Sequence, residues 1–137
     1  MTTNQTLLSL GALMLLMIVS STMNRTYLSS IAEMLDKQIE VEATNYAQSV
    51  AEVFFSNGAD YENLNANLGS FNDVTKPSER FTHVTAFGDS LYATIELGSE
   101  QTLRHGVAGR RASIKVFERN DTGYKQLVEI IASVNPR

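Results

Sequence analysis

The chain has 137 residues, 43% of them hydrophobic and 19% charged, with no Cys or Trp, two Pro, eight Gly and a formal net charge of −4. These totals fit one small domain and exclude a multidomain protein, a disulfide-stapled scaffold, a Cys-based zinc site and a disordered polymer. Distribution says more than the averages: all 11 basic and 15 acidic side chains lie between Arg25 and Arg137, and all five Met lie between Met1 and Met34.

From Leu7 to Val19 the sequence LLSLGALMLLMIV carries 11 apolar residues in 13, and the uncharged stretch runs on to Asn24. As a helix, residues 7–23 rise about 25 Å at roughly 1.5 Å per residue, slightly under the roughly 30 Å hydrocarbon core of a bilayer. Leu7 to Met23 is therefore expected to be a membrane anchor in contact with lipid. Two other readings compete. A cleaved signal peptide has a similar apolar core, but MTTNQT holds no Lys or Arg and the small-x-small site near Ser20, Ser21 and Thr22 is poor. A buried core helix would need a surround that a chain with 8% aromatic residues can hardly supply. For orientation, only Arg25 and Lys37 flank the span, a count that leans toward a cytoplasmic body.

No Gly or Pro occurs between Ala12 and Asn57. Apolar residues recur at Leu28, Ile31, Leu35, Ile39, Ala43, Tyr46, Val50 and Val53, three or four apart, which predicts a helix with one apolar stripe. Glu33 and Lys37 have the spacing of an i,i+4 ion pair. Gly58 after Asn57 predicts the stop. One continuous helix over about residues 5–56 follows, roughly 75 Å long at 1.5 Å per residue. Its stripe at Leu28, Ile31, Leu35 and Ile39 has no second long helix in the chain to cover it. The economical cover is the same stripe on neighbouring copies.

Residues 58–80 are rich in Asn, Gly, Asp and Ser and predict a packed loop anchored by Tyr61, Leu64, Leu68 and Phe71, with a helical turn at 61–67. After Pro77 the period changes to two. Strands are expected at 81–86, 91–97, 111–118 and 124–134, joined by turns at Gly88-Asp89, Gly98 to Gly109 and Asn120 to Gly123. The fold class is thus α+β: an N-terminal helical part over residues 1–57 and a small antiparallel β-meander over 58–137, one sheet face packing on the second half of the helix stripe.

Phe87-Gly88-Asp89-Ser90-Leu91 resembles the signature of the GDSL esterase and lipase family, in which the Ser is the nucleophile. That chemistry needs a His base oriented by a carboxylate. The only downstream His is His105, with Thr102 where the family's Asp-x-x-His motif requires an acid, so hairpin chemistry explains Gly88-Asp89-Ser90 better. His83 and His105 have no metal-ligand spacing. Arg104, His105, Arg110 and Arg111 make the 98–111 loop basic, but a pI near 5.1 and the lack of interleaved aromatics argue against nucleic acid. A solvated loop, or a contact with Glu40, Glu42 and Glu52 of an adjacent subunit, fits better. No catalytic, cofactor-binding or metal residues are assigned.

The stretch from LLSLGALMLLMIVSSTMNRTYLSS to NYAQSVAEVFFS, followed by a small meander, resembles the type IV pilin and pseudopilin superfamily. The resemblance implies a non-enzymatic, single-pass membrane protein that assembles through bundled N-terminal helices, as a structural or minor subunit of a pilus or secretion-type assembly, with its head outside the cytoplasm. The family's leader-peptidase site and its Glu at the fifth mature position are missing, since nothing before Asn24 carries an acid, so an atypical or unprocessed subunit is expected. The alternative is a membrane-tethered extracytoplasmic binding or adaptor module.

Overall fold

The computed structural model describes residues 2–136. It has an α+β fold, with one long N-terminal helix and a four-stranded antiparallel sheet. Two compact units divide the chain, Met1–Gln38 and Ile39–Arg137. Helix α1, Thr2–Asn57, supplies all of the first unit's described residues and the opening segment of the second. As the lack of Gly and Pro after Ala12 predicts, it runs without a break.

Helix α1 ends differently from the expectation. Gly58 is not among the residues with positive φ, so it does not terminate the helix as a left-handed cap. A Cβ at Gly58 would stand 2.8 Å from Val134 Cγ1; glycine is needed there because two segments meet closely. The Asn57 side chain donates to the Val53 carbonyl at 2.9 Å and so satisfies one acceptor of the last turn. A 3-10 turn at Gly58–Asn63 and a short helix α2, Leu64–Leu68, follow where one helical turn was expected. A further 3-10 turn at Pro77–Glu79 leads into the sheet.

The sheet is a meander of β1 (Phe81–Val84), β2 (Ser90–Thr102), β3 (Ala108–Asn120) and β4 (Gly123–Val134), in that spatial order and antiparallel throughout. Its period-two pattern puts Leu91, Ala93, Ile95, Ala112, Ile114, Val116, Ala132 and Val134 in the core. Against them pack Ala43, Ala47, Val50, Ala51 and Phe54 of α1 and Leu64 and Leu68 of α2.

The central hairpin is longer than expected. Gly98 and Ser99 read as the start of a loop, yet a register shift between Leu97 and Glu100 absorbs them, and the ladder continues from Glu100↔Arg110 to Thr102↔Ala108. The turn shrinks to residues 103–107, with His105 at φ 66° and Gly106 at φ 74°. At the first hairpin β1 stops at Val84, because Thr85 is already part of the turn: its N–H donates to the Asp89 carbonyl at 2.7 Å and its hydroxyl accepts from Asp89 N–H at 3.2 Å. The third turn forms as its residues predict, with Asn120 Oδ1 accepting from the Thr122 N–H and hydroxyl.

One correction concerns which side of α1 the sheet covers. The stripe predicts Ala43, Tyr46, Val50 and Val53, but Val53 is 40% exposed and Phe54 is fully buried. At 3.6 residues per turn, the buried set lies about 60° around the helix from the predicted one. The buried side is the row Ala43, Ala47, Ala51, whose small side chains share the core with the fully buried Phe54. Replacing Ala47 with Leu should therefore lower the thermal midpoint of the full chain, at a cost of about 1–3 kcal/mol from overpacking. Val53→Ser should leave it nearly unchanged. A larger loss from Val53→Ser in thermal unfolding followed by circular dichroism would show the predicted face to be the real one.

Candidate assembly surface

In the first unit every described residue is exposed except Ile31, which is half-buried. The anchor segment carries Leu8, Met17 and Ile18 at 74%, 71% and 64% exposure, and none of its 18-residue apolar window is buried inside the protein. It is one helix long and apolar enough to cross a membrane, near the N-terminus. Two threonine hydroxyls in and beside it are satisfied within the helix. Backbone groups bond within the helix, and the Thr6 and Thr22 hydroxyls donate to the carbonyls of Thr2 and Ile18 at 2.7 and 2.8 Å. A bond back to the preceding turn lowers the cost of placing such a hydroxyl in an apolar solvent.

Beyond Met23 the expected contact residues are Leu28, at 57% exposure, the half-buried Ile31, and Leu35, at 42%. Ile39 opens the second unit and is half-buried there. The stripe reading missed Tyr27 and Met34, which are 65% and 62% exposed. They sit one position before Leu28 and Leu35, so the apolar surface above the anchor is wider than one stripe. Their seven-residue spacing was the available signal. Glu33 and Lys37 do not pair: the ion pairs among the described residues join Lys76 to Asp73 and Glu79, and Lys115 to Glu96.

In the second unit the chemically suggestive residues are dispersed. Ser90 opens β2 opposite Val84, whereas His105 lies past the far end of that 13-residue strand, roughly 40 Å away at about 3.3 Å per residue. The His83 ring stacks on Tyr46 with centroids 4.9 Å apart, and burial pushes the Tyr46 hydroxyl up to about 12. Among the described residues no group of three or more His, Cys, Asp or Glu is placed to hold a metal ion. The basic loop also divides. Arg110 is committed internally, donating to the Gly98 carbonyl at 2.8 and 2.9 Å and to Asn65 Oδ1 at 3.0 Å, while Arg104, His105 and Arg111 are exposed. A groove of about 450 Å³ runs beside Arg110, lined by Tyr61, Glu62, Asn65, Ser99 and Glu100.

A cluster that the sequence did not announce covers the part of the sheet's outer face around Tyr92 and Tyr124. The Arg80 guanidinium lies 3.9 Å from the centre of the Tyr92 ring and donates to the Val74 carbonyl and the Tyr124 hydroxyl, both at 2.8 Å. This explains why Tyr92, on the face away from α1, is buried. The loop before β1 is also pinned at Asp73, whose carboxylate accepts from the Thr75 N–H and hydroxyl at 2.9 and 2.6 Å. Those bonds hold the Asp73 carboxyl below its ordinary pKa.

Compared with protein-family models, with curated proteins and with solved structures, the chain matches none. The surface itself supplies the next expectation. Leu13→Arg or Leu16→Arg places a charge at the middle of the apolar span, where insertion scales assign about 2.5 to 3.5 kcal/mol against it. Either change should release the protein from the membrane fraction or abolish its accumulation. Unchanged resistance to carbonate extraction would show that Leu7 to Met23 is not the anchor.

Proposed function

We propose that this chain is a non-enzymatic, single-span envelope protein, a pilin-like structural or minor subunit that enters a pilus or secretion-type assembly by packing its N-terminal helix against neighbouring copies. The observation that carries the reading is the uncovered apolar surface of the first unit. Fully burying a Leu, Ile, Val or Met side chain stabilises by about 1.5–3 kcal/mol. Ten of them between Leu7 and Val19 represent about 15–30 kcal/mol, at or above the roughly 5–15 kcal/mol that holds a whole domain folded. A bilayer supplies that burial.

Lipid does not account for Leu28, Ile31 and Leu35, which lie past the span among Arg25, Glu33, Asp36 and Lys37. Side-by-side packing with like helices does, since each copy offers the surface that another needs. The head is read as the part displayed outside the membrane. The groove at Tyr61, Glu62 and Arg110 favours a second reading, a tethered module that binds a polar ligand there, and that reading needs no self-association.

Ile31→Asp separates the two. It should leave the head folded, with an unchanged thermal midpoint, and should reduce chemical crosslinking between membrane-embedded copies by at least tenfold. Absence of crosslinking in the unaltered protein would remove the assembly reading and leave the tethered module. The intact mass of the protein purified from membranes tests the anchor separately. A retained Leu7 to Met23 segment agrees with it, and a chain cut within Ser20 to Met23 identifies a signal peptide instead.

A further inference from the structure

We propose that neighbouring copies of this chain also join sheet edge to sheet edge, with β4 of one copy hydrogen-bonded to β1 of the next. This rests on the membrane-anchored assembly just described and adds a specific contact between heads. The strand order leaves β1 and β4 as the two open edges. No backbone hydrogen bond outside the ladders reaches residues 81–84 or 123–134, so the outward N–H and C=O groups of both edges lack partners among the described residues. Such an edge is a template for another strand.

Two arrangements of a second copy compete. Antiparallel pairing of β4 with a partner's β4 requires a two-fold axis perpendicular to the sheet. That axis reverses the helical segment 39–57 on the inner face, so the two copies would carry it in opposite directions, whereas the proposed assembly sets its helices side by side in one direction. Pairing β4 with β1 has no such conflict. In a four-stranded meander the first and last strands run in opposite directions, so a copy set alongside with its helix pointing the same way presents β1 antiparallel to β4. The contact is head-to-tail and extends to further copies.

The registers make the two edges fit. Across the sheet, Phe81 is level with Ala93, Val116 and Val128; Thr82 with Tyr92, Phe117 and Gln126; His83 with Leu91, Glu118 and Lys125. A neighbour placed without stagger therefore sets Phe81 beside Val128, Thr82 beside Gln126, His83 beside Lys125 and, one residue further, Val84 beside Tyr124. The faces agree, because Phe81 and Val128 both pack toward the core, while Val84, 61% exposed, meets Tyr124 on the outer face.

The hydrogen-bonding phase agrees too. Thr85 N–H to Asp89 O closes the first hairpin at 2.7 Å and the Asn120↔Gly123 pair closes the third. Alternation from those pairs turns the backbones of Thr82 and Val84, and of Tyr124 and Gln126, toward the open sides. A slip of one residue would oppose both face and phase. The register shift in β4 falls between Gln126 and Val128, so Thr82, His83 and Val84 meet an unbroken run and Phe81 meets β4 just past the bulge. A ladder limited by the four residues of β1 is far below the roughly 1,000 Å² of a free-standing interface. It joins copies that the membrane and the helices already hold together.

The chain has no cysteine, so the contact can be read by paired substitutions in the full-length, membrane-embedded protein. His83 and Lys125 of adjacent copies form a non-hydrogen-bonded pair with Cα atoms about 4.5 Å apart, within reach of a disulfide. Mild oxidation of His83→Cys/Lys125→Cys should give a ladder of dimers, trimers and larger species on a non-reducing gel. Each single variant should give no ladder, and the two co-expressed should stop at dimers. Thr82→Cys/Gln126→Cys is a second pair that leaves the Tyr46 and His83 stack intact. A dimer from Ile131→Cys alone, at the yield of the paired variants, would mean two-fold β4 pairing and overturn the proposal. No ladder from either pair while Leu35→Cys crosslinks through the helix overturns it and leaves the helical assembly standing. No crosslink from any of these variants removes both.

Discussion

The constraint on which everything else depends is apolar surface that the chain does not cover itself. Between Leu7 and Met23 a helix turns Leu, Met and Ile outward on all sides, and in its unit no described residue is fully buried. The second unit behaves in the opposite way. Small residues on α1 and the side chains of Phe54, Ile95, Ile114 and Val116 make one buried core with the sheet. One helix thus has two parts: the first is long and apolar enough to cross a membrane, and the last supplies one wall of the core beneath the sheet.

That division explains where the charges are. A helix in hydrocarbon satisfies its backbone internally and tolerates hydroxyls that bond back to a carbonyl four residues earlier, as Thr22 does, but not ionised groups. Arg25 is where charge first becomes affordable. Above it, Leu28, Ile31 and Leu35 lie among charged residues, and like helices cover them in the assembly we propose. The open edges of the sheet repeat that incompleteness at the level of backbone hydrogen bonding. In the proposed assembly both features are satisfied by copies placed side by side with their helices pointing the same way.

Much of this fold was legible in the sequence because its signals were periodic. The unbroken run after Ala12 gave α1 nearly to the residue, and the change to period two after Pro77 gave four strands in the right order. What stayed hidden depended on partners distant in sequence. The choice of Phe54 over Val53 goes with the burial of Ala47 and Ala51, which lie on the same side of α1. The extension of β2 through Gly98 and Ser99 needed the register shift opposite Arg110 and Arg111. Arg80 looks like any loop arginine until Tyr92 and Tyr124 are placed beneath and beside it. At the surface, Leu28, Ile31, Leu35 and Ile39 were named from spacing, whereas Tyr27 and Met34 were missed because a single stripe was taken as the whole apolar face.

The central claim, that like helices cover the apolar residues above the anchor, is tested most directly by solvent access to Leu35. With no native cysteine to interfere, Leu35→Cys and Lys37→Cys variants can be labelled with a polar maleimide, in opened native membranes and again after dilution into detergent. Slow labelling of Leu35→Cys in membranes that becomes fast in dilute detergent, with Lys37→Cys fast in both, is the expected result. Equally fast labelling of both positions in native membranes would contradict it.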